Sequence, residues 1–312
     1  MNYTISKVKF TSSNGKNRVC GLVYAPKGEA IGLLQISHGM CEYIGRYSWF
    51  MKEMAERGFV VFGHDHIGHG DSSAPEEYGY FAEKDGYRYL IQDIFRMSSI
   101  VQEKYPNLPL YLFGHSMGSF VSRLTLPKYA SKLSGVILCG TSGPNPMAKA
   151  GIAIADRVAK SKGADYREEK LQKMAFGSYN NKYEIKRTHC DWLSRDEEVV
   201  NEYLRDPRCT FMFTASAFRD LFTMVNLCNK KEWFAALPKD LPILLIAGDA
   251  DPVGNYGKGV QKVMEKLVEN GMSDVSMNLY PEARHELLNE INKEEVLQDI
   301  QIWLKERLPL EI

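Results

Sequence analysis

The sequence predicts an α/β fold, in which a mostly parallel β-sheet is flanked by helices and interrupted by a helical insertion. Short apolar segments alternate with longer segments of helical periodicity, as in sheets whose parallel strands are joined by helices. Several of the short segments are apolar throughout, which is typical of strands buried on both faces. The alternation stops between residues 143 and 238, where no comparable strand-like segment occurs.

The strands and helices follow from these patterns in chain order. The first two predicted strands, residues 18–26 and 30–38, are close together in the sequence, which predicts an antiparallel hairpin at one edge of the sheet. The remaining predicted strands are residues 59–65, 108–114, 133–140, 241–248 and 274–281. Apolar residues at helical spacing predict helices over residues 46–58, 87–105, 257–271 and 294–308.

The predicted insertion covers residues 143–238 and divides the chain. It is bounded by GTSGPNP and LPKDLP, and it contains apolar-rich helical segments at residues 147–160 and 214–229. Residues 1–142 and 239–312 are accordingly predicted to form the α/β core, and residues 143–238 a helical unit inserted between two of its strands.

Composition narrows the range of functions. The chain has 312 residues and a net charge of zero, so nothing indicates a nucleic-acid partner. The N-terminal segment lacks the apolar core of a signal peptide, and the longest apolar runs are far too short to span a bilayer. The six cysteines form no CxxC pair, which predicts reduced thiols in a cytoplasmic protein.

The stretch FGHSMGS, residues 113–119, contains the strongest catalytic candidate. Gly114 and Gly118 flank Ser116, directly after a predicted strand. In a tight strand–turn–helix, small neighbours allow one residue to project from the carboxyl edge of a parallel sheet; this is the G-x-S-x-G nucleophile elbow. The alternative interpretation is a glycine-rich turn with an incidental serine.

A nucleophilic serine needs a base and an orienting acid, and the elbow predicts that the acid and then the histidine follow it in the chain. The two downstream histidines are His189, in the insertion, and His285, after the last predicted strand. His285 is favoured because catalytic loops lie at the carboxyl ends of strands. Asp249 and Asp251 both follow the preceding strand, and Asp251 is favoured because it lies further beyond the strand end.

Backbone N–H groups are predicted to bind the oxyanion that forms during the attack. One is the N–H of Met117, which belongs to the elbow itself. The other is the N–H of Met40, in the loop after the strand ending in QIS, where a His-Gly pair fits a backbone that turns inward. His38, Gly39 and His115 are candidate substrate-binding residues.

Two histidine patterns suggest a metal site, but only weakly. HDHIGHGD, residues 64–71, has Gly68 where a zinc hydrolase motif of this kind has aspartate. HELLN, residues 285–289, has Asn289 at the second ligand position of H-E-x-x-H. We therefore predict neither a metal nor an organic cofactor, and we interpret residues 64–72 as a hydrogen-bonded loop packed beside the active site.

Several stretches together resemble the α/β-hydrolases, and more narrowly the branch of monoacylglycerol lipases and lysophospholipases, which is grouped with the serine-aminopeptidase-type (S33) hydrolases. These stretches are SHGMCEYIGRY (37–47), FGHDHIGHGDS (62–72), FGHSMGSF (113–120), AGDADPVGN (247–255), YPEARHELLNE (280–290) and WLSRDEEVV (192–200), the last of which is similar to bacterial members.

The resemblance implies the α/β-hydrolase fold, with residues 143–238 as a cap over the active site. It also implies a triad and an oxyanion hole at the positions already singled out: Ser116 as nucleophile, Asp251 as acid, His285 as base, and the N–H groups of Met40 and Met117. The sequence departs from the family at Cys41-Glu42-Tyr43, where the eukaryotic lipases tend to have Gly-Glu-His, so the pocket for the alcohol is expected to differ.

The activity that the resemblance implies is that of a serine ester hydrolase, which forms an acyl-enzyme from single-chain acyl esters such as monoacylglycerols or lysophospholipids. An S33-type aminopeptidase and a short-chain or aryl carboxylesterase are the alternatives. An aminopeptidase would need acidic groups for the substrate ammonium, and the candidates are Glu197, Glu198, Glu202 and Asp206. Acyl transfer to another alcohol is chemically adjacent, whereas a non-catalytic receptor of this fold would be expected to lack a triad member.

The segment FRDLFTMVNL, residues 218–227, places Phe218, Leu221, Phe222 and Val225 on one face of a helix. Core packing is the favoured interpretation. If this face instead lines an acyl tunnel or touches lipid, Phe218 and Phe222 are substrate-binding candidates. The expected partner is a small-molecule acyl ester, and contact with a membrane or micelle through the cap is a further hypothesis.

Overall fold

The computed structural model describes residues 1–309. Its strands are β1 (Tyr3–Thr11), β2 (Arg18–Pro26), β3 (Gly32–Ser37), β4 (Phe59–His64), β5 (Leu110–His115), β6 (Gly135–Cys139), β7 (Ile243–Gly248) and β8 (Val275–Tyr280). Its helices are α1 (Ser48–Glu56), α2 (Tyr87–Lys104), α3 (Met117–Tyr129), α4 (Ala148–Lys162), α5 (Glu169–Phe176), α6 (Glu197–Arg205), α7 (Ala215–Leu227), α8 (Lys231–Ala235), α9 (Lys258–Glu269) and α10 (Lys293–Lys305).

The strands form one sheet in the order β1-β2-β4-β3-β5-β6-β7-β8. From β4 to β8 the neighbours in this order are parallel, whereas β2 is antiparallel to both β1 and β4. The predicted α/β fold with a mostly parallel sheet is therefore confirmed. Every residue of β3, β4, β5, β6 and β7 is buried, in agreement with their continuous apolar sequences.

The predicted hairpin between residues 18–26 and 30–38 is wrong. β2 pairs with β1 and β4, and β3 lies between β4 and β5. Because all of β3 is buried, this strand belongs inside the sheet. The hairpin at the sheet edge instead joins β1 to β2 through a turn that contains Asn14-Gly15, with Gly15 at a φ of 73°. β1 is missing from the predicted strands because most of its side chains are exposed, so no apolar run marks it.

Helices cover both faces of the sheet. On one face, apolar side chains of α1 and α10 pack against strands β3 to β7 in one large cluster. On the other face, α2 packs near β3 and β4, and α9 packs near β6 and β7. This coverage leaves the carboxyl ends of the parallel strands as the edge at which polar loops can meet.

Helices α4 to α8 lie between β6 and β7 in the chain. Side chains of α4 and α7 share an apolar cluster with side chains of α2 and α3, so the insertion packs onto the rest of the protein through a common core. Its boundaries at residues 143 and 238, and its role as a cap, stay predictions. Within residues 1–309, no helix has the length and apolar character that spanning a membrane requires.

Candidate active site

Ser116 occupies a strained turn between β5 and α3. Its backbone has φ 52° and ψ −121°, a conformation that a residue with a side chain rarely adopts. The N–H of Ser116 donates to the carbonyl of Cys139 on β6 (2.9 Å). The Ser116 carbonyl accepts from the N–H of Ser119 (2.9 Å) and from its hydroxyl (2.6 Å). These bonds hold the turn at the carboxyl edge of the sheet.

Close backbone packing explains why glycines flank Ser116. A Cβ on Gly118 would overlap the carbonyl oxygens of Ser37 and His38, because the first turn of α3 packs directly on the end of β3. A Cβ on Gly114 would lie 2.7 Å from the carbonyl oxygen of Gly118. Any larger residue at either position would push α3 away from the sheet and move Ser116.

Asp251 and His285 form a buried pair at the same edge of the sheet. The Nδ1–H of His285 donates to Oδ2 of Asp251 (3.0 Å), and the two residues are 2% and 0% exposed, respectively. The second carboxylate oxygen of Asp251 accepts from the N–H of Val253 (2.8 Å). Gly140, at a φ of 58°, lets the imidazole approach, because a Cβ there would lie 3.0 Å from Cε1 of His285.

The two alternatives lie elsewhere. Asp249 is exposed, and its carboxylate accepts from the N–H of Glu282 (2.6 Å) rather than from an imidazole. His189 is an exposed residue in the insertion. The structure thus brings together Asp251 and His285, the pair favoured from the sequence.

The loop after β3 approaches Ser116 closely. A Cβ on Gly39 would lie 3.1 Å from Cβ of Ser116, so residue 39 must be small. The N–H of Gly39 donates to the carboxylate of Glu42, and Cys41 adopts a positive φ of 54°. Met40 therefore lies in a tightly turned loop beside Ser116, and Met117 directly follows Ser116 as the first residue of α3.

Three of the candidate substrate-binding residues have buried side chains, and their role in binding substrate stays a prediction. His38 is fully buried; its Nδ1 donates to the Gly39 carbonyl (2.8 Å) and its Nε2 accepts from the N–H of His66 (2.9 Å). His115 is buried and donates to Glu42. Phe218 is fully buried in the apolar cluster of the insertion. In the structure, His38 and His115 hold loops through these hydrogen bonds, and Phe218 packs in the core.

The structure contains a network of charged side chains that the sequence analysis did not predict. One oxygen of Glu42 accepts from Tyr47 (2.8 Å) and from Nδ1 of His115 (2.8 Å). Arg46 makes a bidentate pair with Glu286 (2.6 and 2.8 Å) and also approaches Glu42 (3.4 Å). We call residues 38–43, which follow β3, the Met40 loop. The sequence gives only two signs of this network: Glu42 lies in the Met40 loop, and Glu286 directly follows His285.

The members of this network shift one another's pKa values. Burial would raise the pKa of Glu42, but His115 and Arg46 outweigh that cost and hold the pKa well below its ordinary value. Burial would lower the pKa of His115, but the charge of Glu42 and its hydrogen bond raise it. The Nε2–H of His115 also points to the carbonyl of His285 (3.3 Å). Through these bonds Glu42 and His115 connect the Met40 loop to the loop that carries His285.

The histidines of the loop after β4 pack together with His38. The rings of His38 and His66 lie 4.4 Å apart, and those of His64 and His66 lie 5.2 Å apart. Burial lowers the pKa of His38 to about 4 and that of His64 to about 3, so both are neutral near pH 7. Across residues 1–309, no group of three or more His, Cys, Asp or Glu side chains is arranged to hold a metal ion.

Several known proteins are similar to this chain in sequence and architecture. The model of the Hydrolase_4 family, described as serine aminopeptidase, S33, matches residues 28–292. Monoglyceride lipase of Rattus norvegicus is 27% identical over 288 residues, which cover 91% of this chain and 86% of that protein. Monoacylglycerol lipase of Mycolicibacterium smegmatis is 28% identical over 299 residues, which cover 94% of this chain and 95% of that protein. A highly thermostable carboxyl esterase from Bacillus coagulans, solved in complex with glycerol, matches with a TM-score of 0.92 and 32% identity over 97% of this chain and 98% of that one.

Proposed function

Since the chain belongs to the Hydrolase_4 family, serine aminopeptidase S33, we propose that it hydrolyses the ester bond of monoacylglycerols, with Ser116 as nucleophile, His285 as general base and Asp251 as the orienting carboxylate. The buried hydrogen bond between Asp251 and His285 (3.0 Å), at the sheet edge that also carries the strained Ser116 turn, is the observation on which this proposal rests. The chain is a hydrolase with the α/β-hydrolase fold.

The proposed reaction has two halves. In the first, the Ser116 hydroxyl attacks the ester carbonyl while Nε2 of His285 takes its proton, and the N–H groups of Met40 and Met117 bind the oxyanion. The tetrahedral intermediate then expels the alcohol, which leaves with the proton from His285. In the second half, water loses a proton to His285 and attacks the acyl-enzyme, so the fatty acid leaves and the Ser116 hydroxyl is restored.

The charges around the Met40 loop favour a neutral head group. A lysophospholipid carries a phosphate, which binds best to an unpaired cation. Arg46 is already bound at two points by Glu286. Arg208 is bound by Asp206 (2.8 and 3.0 Å) and also donates to the hydroxyl of Tyr43. Both of these guanidinium groups therefore have carboxylate partners, and glycerol fits this environment better than a phosphate.

The aminopeptidase alternative is less well supported. It needs an unpaired carboxylate near the serine to bind a substrate ammonium. Glu197, Glu198 and Glu202 are exposed side chains on α6, and Asp206 is occupied by Arg208 and by the Tyr43 hydroxyl (2.9 Å). Two further carboxylates, Glu42 in the Met40 loop and Glu286 next to His285, are compensated as well, because they pair with His115 and Arg46.

A substrate panel tests the proposal. Purified enzyme is given a long-chain monoacylglycerol, the lysophosphatidylcholine with the same chain, a short aryl ester and an aminoacyl anilide. We expect kcat/KM to be highest for the monoacylglycerol and the anilide to be inert. Fast anilide cleavage without ester turnover would establish the peptidase. A preference for the short aryl ester over the monoacylglycerol would establish a short-chain or aryl carboxylesterase.

We also propose that the enzyme works in the cytoplasm and takes its substrate from a membrane or micelle surface. All six cysteines are free, and five of them are buried, as suits a reducing compartment. Met147 and Ile154, at the start and in the middle of the α4 segment, are 61% and 45% exposed. Such apolar side chains on the outside of the insertion suit transient contact with lipid.

A further inference from the structure

The loop that carries His285 is bound to a segment of the insertion. We call residues 281–292 the histidine loop and residues 190–196 the brace segment. The N–H of His285 donates to the carbonyl of Trp192 (3.3 Å), and the N–H of Glu286 donates to the carbonyl of Leu193 (2.8 Å). The Trp192 ring lies 5.0 Å from the His285 ring. The backbone on either side of the proposed base is therefore held by a segment more than 90 residues away in the sequence.

Arg195 and Glu290 are the charged centre of this contact. The Glu290 side chain is fully buried, and it accepts from the backbone N–H (3.0 Å) and from Nε (2.9 Å) of Arg195. The same carboxylate accepts from the N–H groups of Arg284 (2.9 Å) and Ile291 (3.0 Å). One buried carboxylate thus joins the brace segment to two points of the histidine loop, one of them adjacent to His285.

Further bonds extend the contact. Nη2 of Arg195 donates to Asn292 (2.8 Å), and the Ser194 hydroxyl donates to the carbonyl of Asn289 (2.9 Å). The Arg284 guanidinium donates to the carbonyls of Asp191 (2.5 Å) and Ser194 (3.0 Å). The bonds run in both directions between the two segments, so a shift of the brace segment would move the histidine loop with it.

We propose that Arg195 is a positioning residue for the catalytic base. Through Glu290 it fixes the histidine loop in the orientation that points the His285 imidazole at Ser116. This inference rests on the proposed function, in which His285 is the base. A buried carboxylate that loses its cationic partner is strongly disfavoured, so without Arg195 the loop would move to bring Glu290 to water.

The expected kinetic effect falls on kcat. A displacement of about 1 Å in a catalytic group can cost about 100-fold in rate. Arg195 is proposed to act on His285 rather than on the substrate, so KM should stay nearly constant. We expect Arg195→Ala to lower kcat by about 10- to 100-fold on both a short aryl ester and a monoacylglycerol, with a matching fall in the rate of labelling by a fluorophosphonate.

The experiment uses full-length protein well below the melting temperature of each variant. Arg195→Ala and Glu290→Gln are compared with Arg187→Ala, a matched control in the insertion whose side chain pairs with Glu197 and Asn201 instead of the histidine loop. Arg187→Ala should keep wild-type kcat. Arg195→Lys should recover part of the rate, because lysine restores the charge facing Glu290 but cannot bind Asn292 at the same time. If Arg195→Ala does not fold, the proposal is tested with Glu290→Gln and Arg195→Lys instead.

Two further readouts separate positioning from simple loss of stability. The downfield proton resonance of the His285–Asp251 hydrogen bond should weaken in Arg195→Ala and persist in Arg187→Ala. In a His285→Ala background, Arg195→Ala should cost nothing more in residual rate, because it acts through His285. Wild-type kcat and an unchanged resonance in folded Arg195→Ala would overturn the inference. Full activity of His285→Ala would instead overturn the proposed function.

Discussion

Ser116 is the residue on which the proposed chemistry depends most directly. Its side chain leaves a strained turn in which the N–H and the carbonyl of Ser116 are both hydrogen-bonded. We expect a fluorophosphonate to label this serine alone, and Ser116→Ala to abolish labelling and lower turnover by roughly 10⁴- to 10⁶-fold. Ser161→Ala, which removes an exposed hydroxyl on α4, is the control and should label normally. An alanine variant at 116 with more than a few per cent of wild-type activity would refute the mechanism.

The acid assignment gives a second prediction for single residues. Asp251→Asn keeps the shape of the side chain but loses the charge that stabilises the imidazolium, so we expect kcat to fall by about 10⁴-fold with the melting temperature nearly unchanged. Asp249→Asn removes a charge from an exposed side chain that binds only the Glu282 N–H, and it should retain activity. If Asp249→Asn is the damaging change and Asp251→Asn is mild, the assignment moves to Asp249.

At the scale of single elements, Asp220 on α7 links the insertion to α2. It is 2% exposed, and a Cβ on Gly86, just before α2, would lie 2.8 Å from its Oδ2. Burial raises the pKa of Asp220 to about 7, although Arg219 and the N–H groups of Gly86 and Tyr87 oppose the rise. The folded state therefore holds this proton more tightly than the unfolded chain does, and the resulting stabilisation is lost as the pH rises through about 7.

Asp220→Asn cannot ionise, and it should remove this pH dependence. We expect its melting temperature to exceed that of the wild type at pH 8, and the difference in unfolding free energy to grow between pH 5 and pH 8 by on the order of 2 kcal/mol. The control is Asp240→Asn, at an exposed position, which should behave as wild type. A stability difference that is constant with pH would show that Asp220 is ionised in the folded protein throughout.

Phe222 decides the role of the α7 face. Phe218 on the same face is fully buried, whereas Phe222 is half-buried and packs on Gly151 of α4, where a Cβ would lie 2.8 Å from its ring. If the half-buried ring borders the acyl chain, Phe222→Ser should lower kcat/KM for a long-chain monoacylglycerol selectively, with an unchanged melting temperature. Equal losses on a long-chain and a short aryl ester, with a lower melting temperature, would mean that it only packs α4 against α7.

The elements that the sequence predicted well are those whose signal is local. The turn at Ser116 is marked by two glycines within five residues, and strands such as β3 and β7 by continuous apolar runs. The position of β3 inside the sheet depends on pairing with β4 and β5, which no local pattern encodes. Contacts such as Arg195 with Glu290 join residues 95 positions apart, so they too emerge only from the folded chain.

On the scale of the whole molecule, buried ionisable groups make stability depend on pH. Burial lowers the pKa of the four histidines packed beside the Met40 loop, which are His38, His64, His66 and His69. The pKa values of these histidines are lower in the folded protein than in the unfolded chain, where they are about 6.5. The neutral histidines therefore stabilise the fold near neutral pH, and this stabilisation is lost as the pH falls. Asp65 and Asp220, whose pKa values burial raises to about 6 and about 7, act in the opposite sense.

The four histidines outnumber these two carboxyl groups, so unfolding at pH 5 should take up protons. We expect the melting temperature and the unfolding free energy to fall as the pH is lowered from 7 to 5, so that the unfolding free energy has a positive slope against pH. Asp220→Asn removes one opposing group and should steepen that slope. A melting temperature that is constant or higher at pH 5 would mean that the histidines are already charged in the folded protein.

The contact between the brace segment and the histidine loop limits which segments can be exchanged with relatives to make a chimera. Replacing residues 143–238 with the insertion of a relative would leave β6 and β7 intact. The histidine loop of one parent would then face a brace segment from the other parent. The donors facing Glu290 and the carbonyls that receive His285 and Glu286 would then come from a different sequence. A chimera designed to alter acyl-chain preference should therefore transfer residues 281–292 together with the insertion, so that the new pocket arrives with its own matched base.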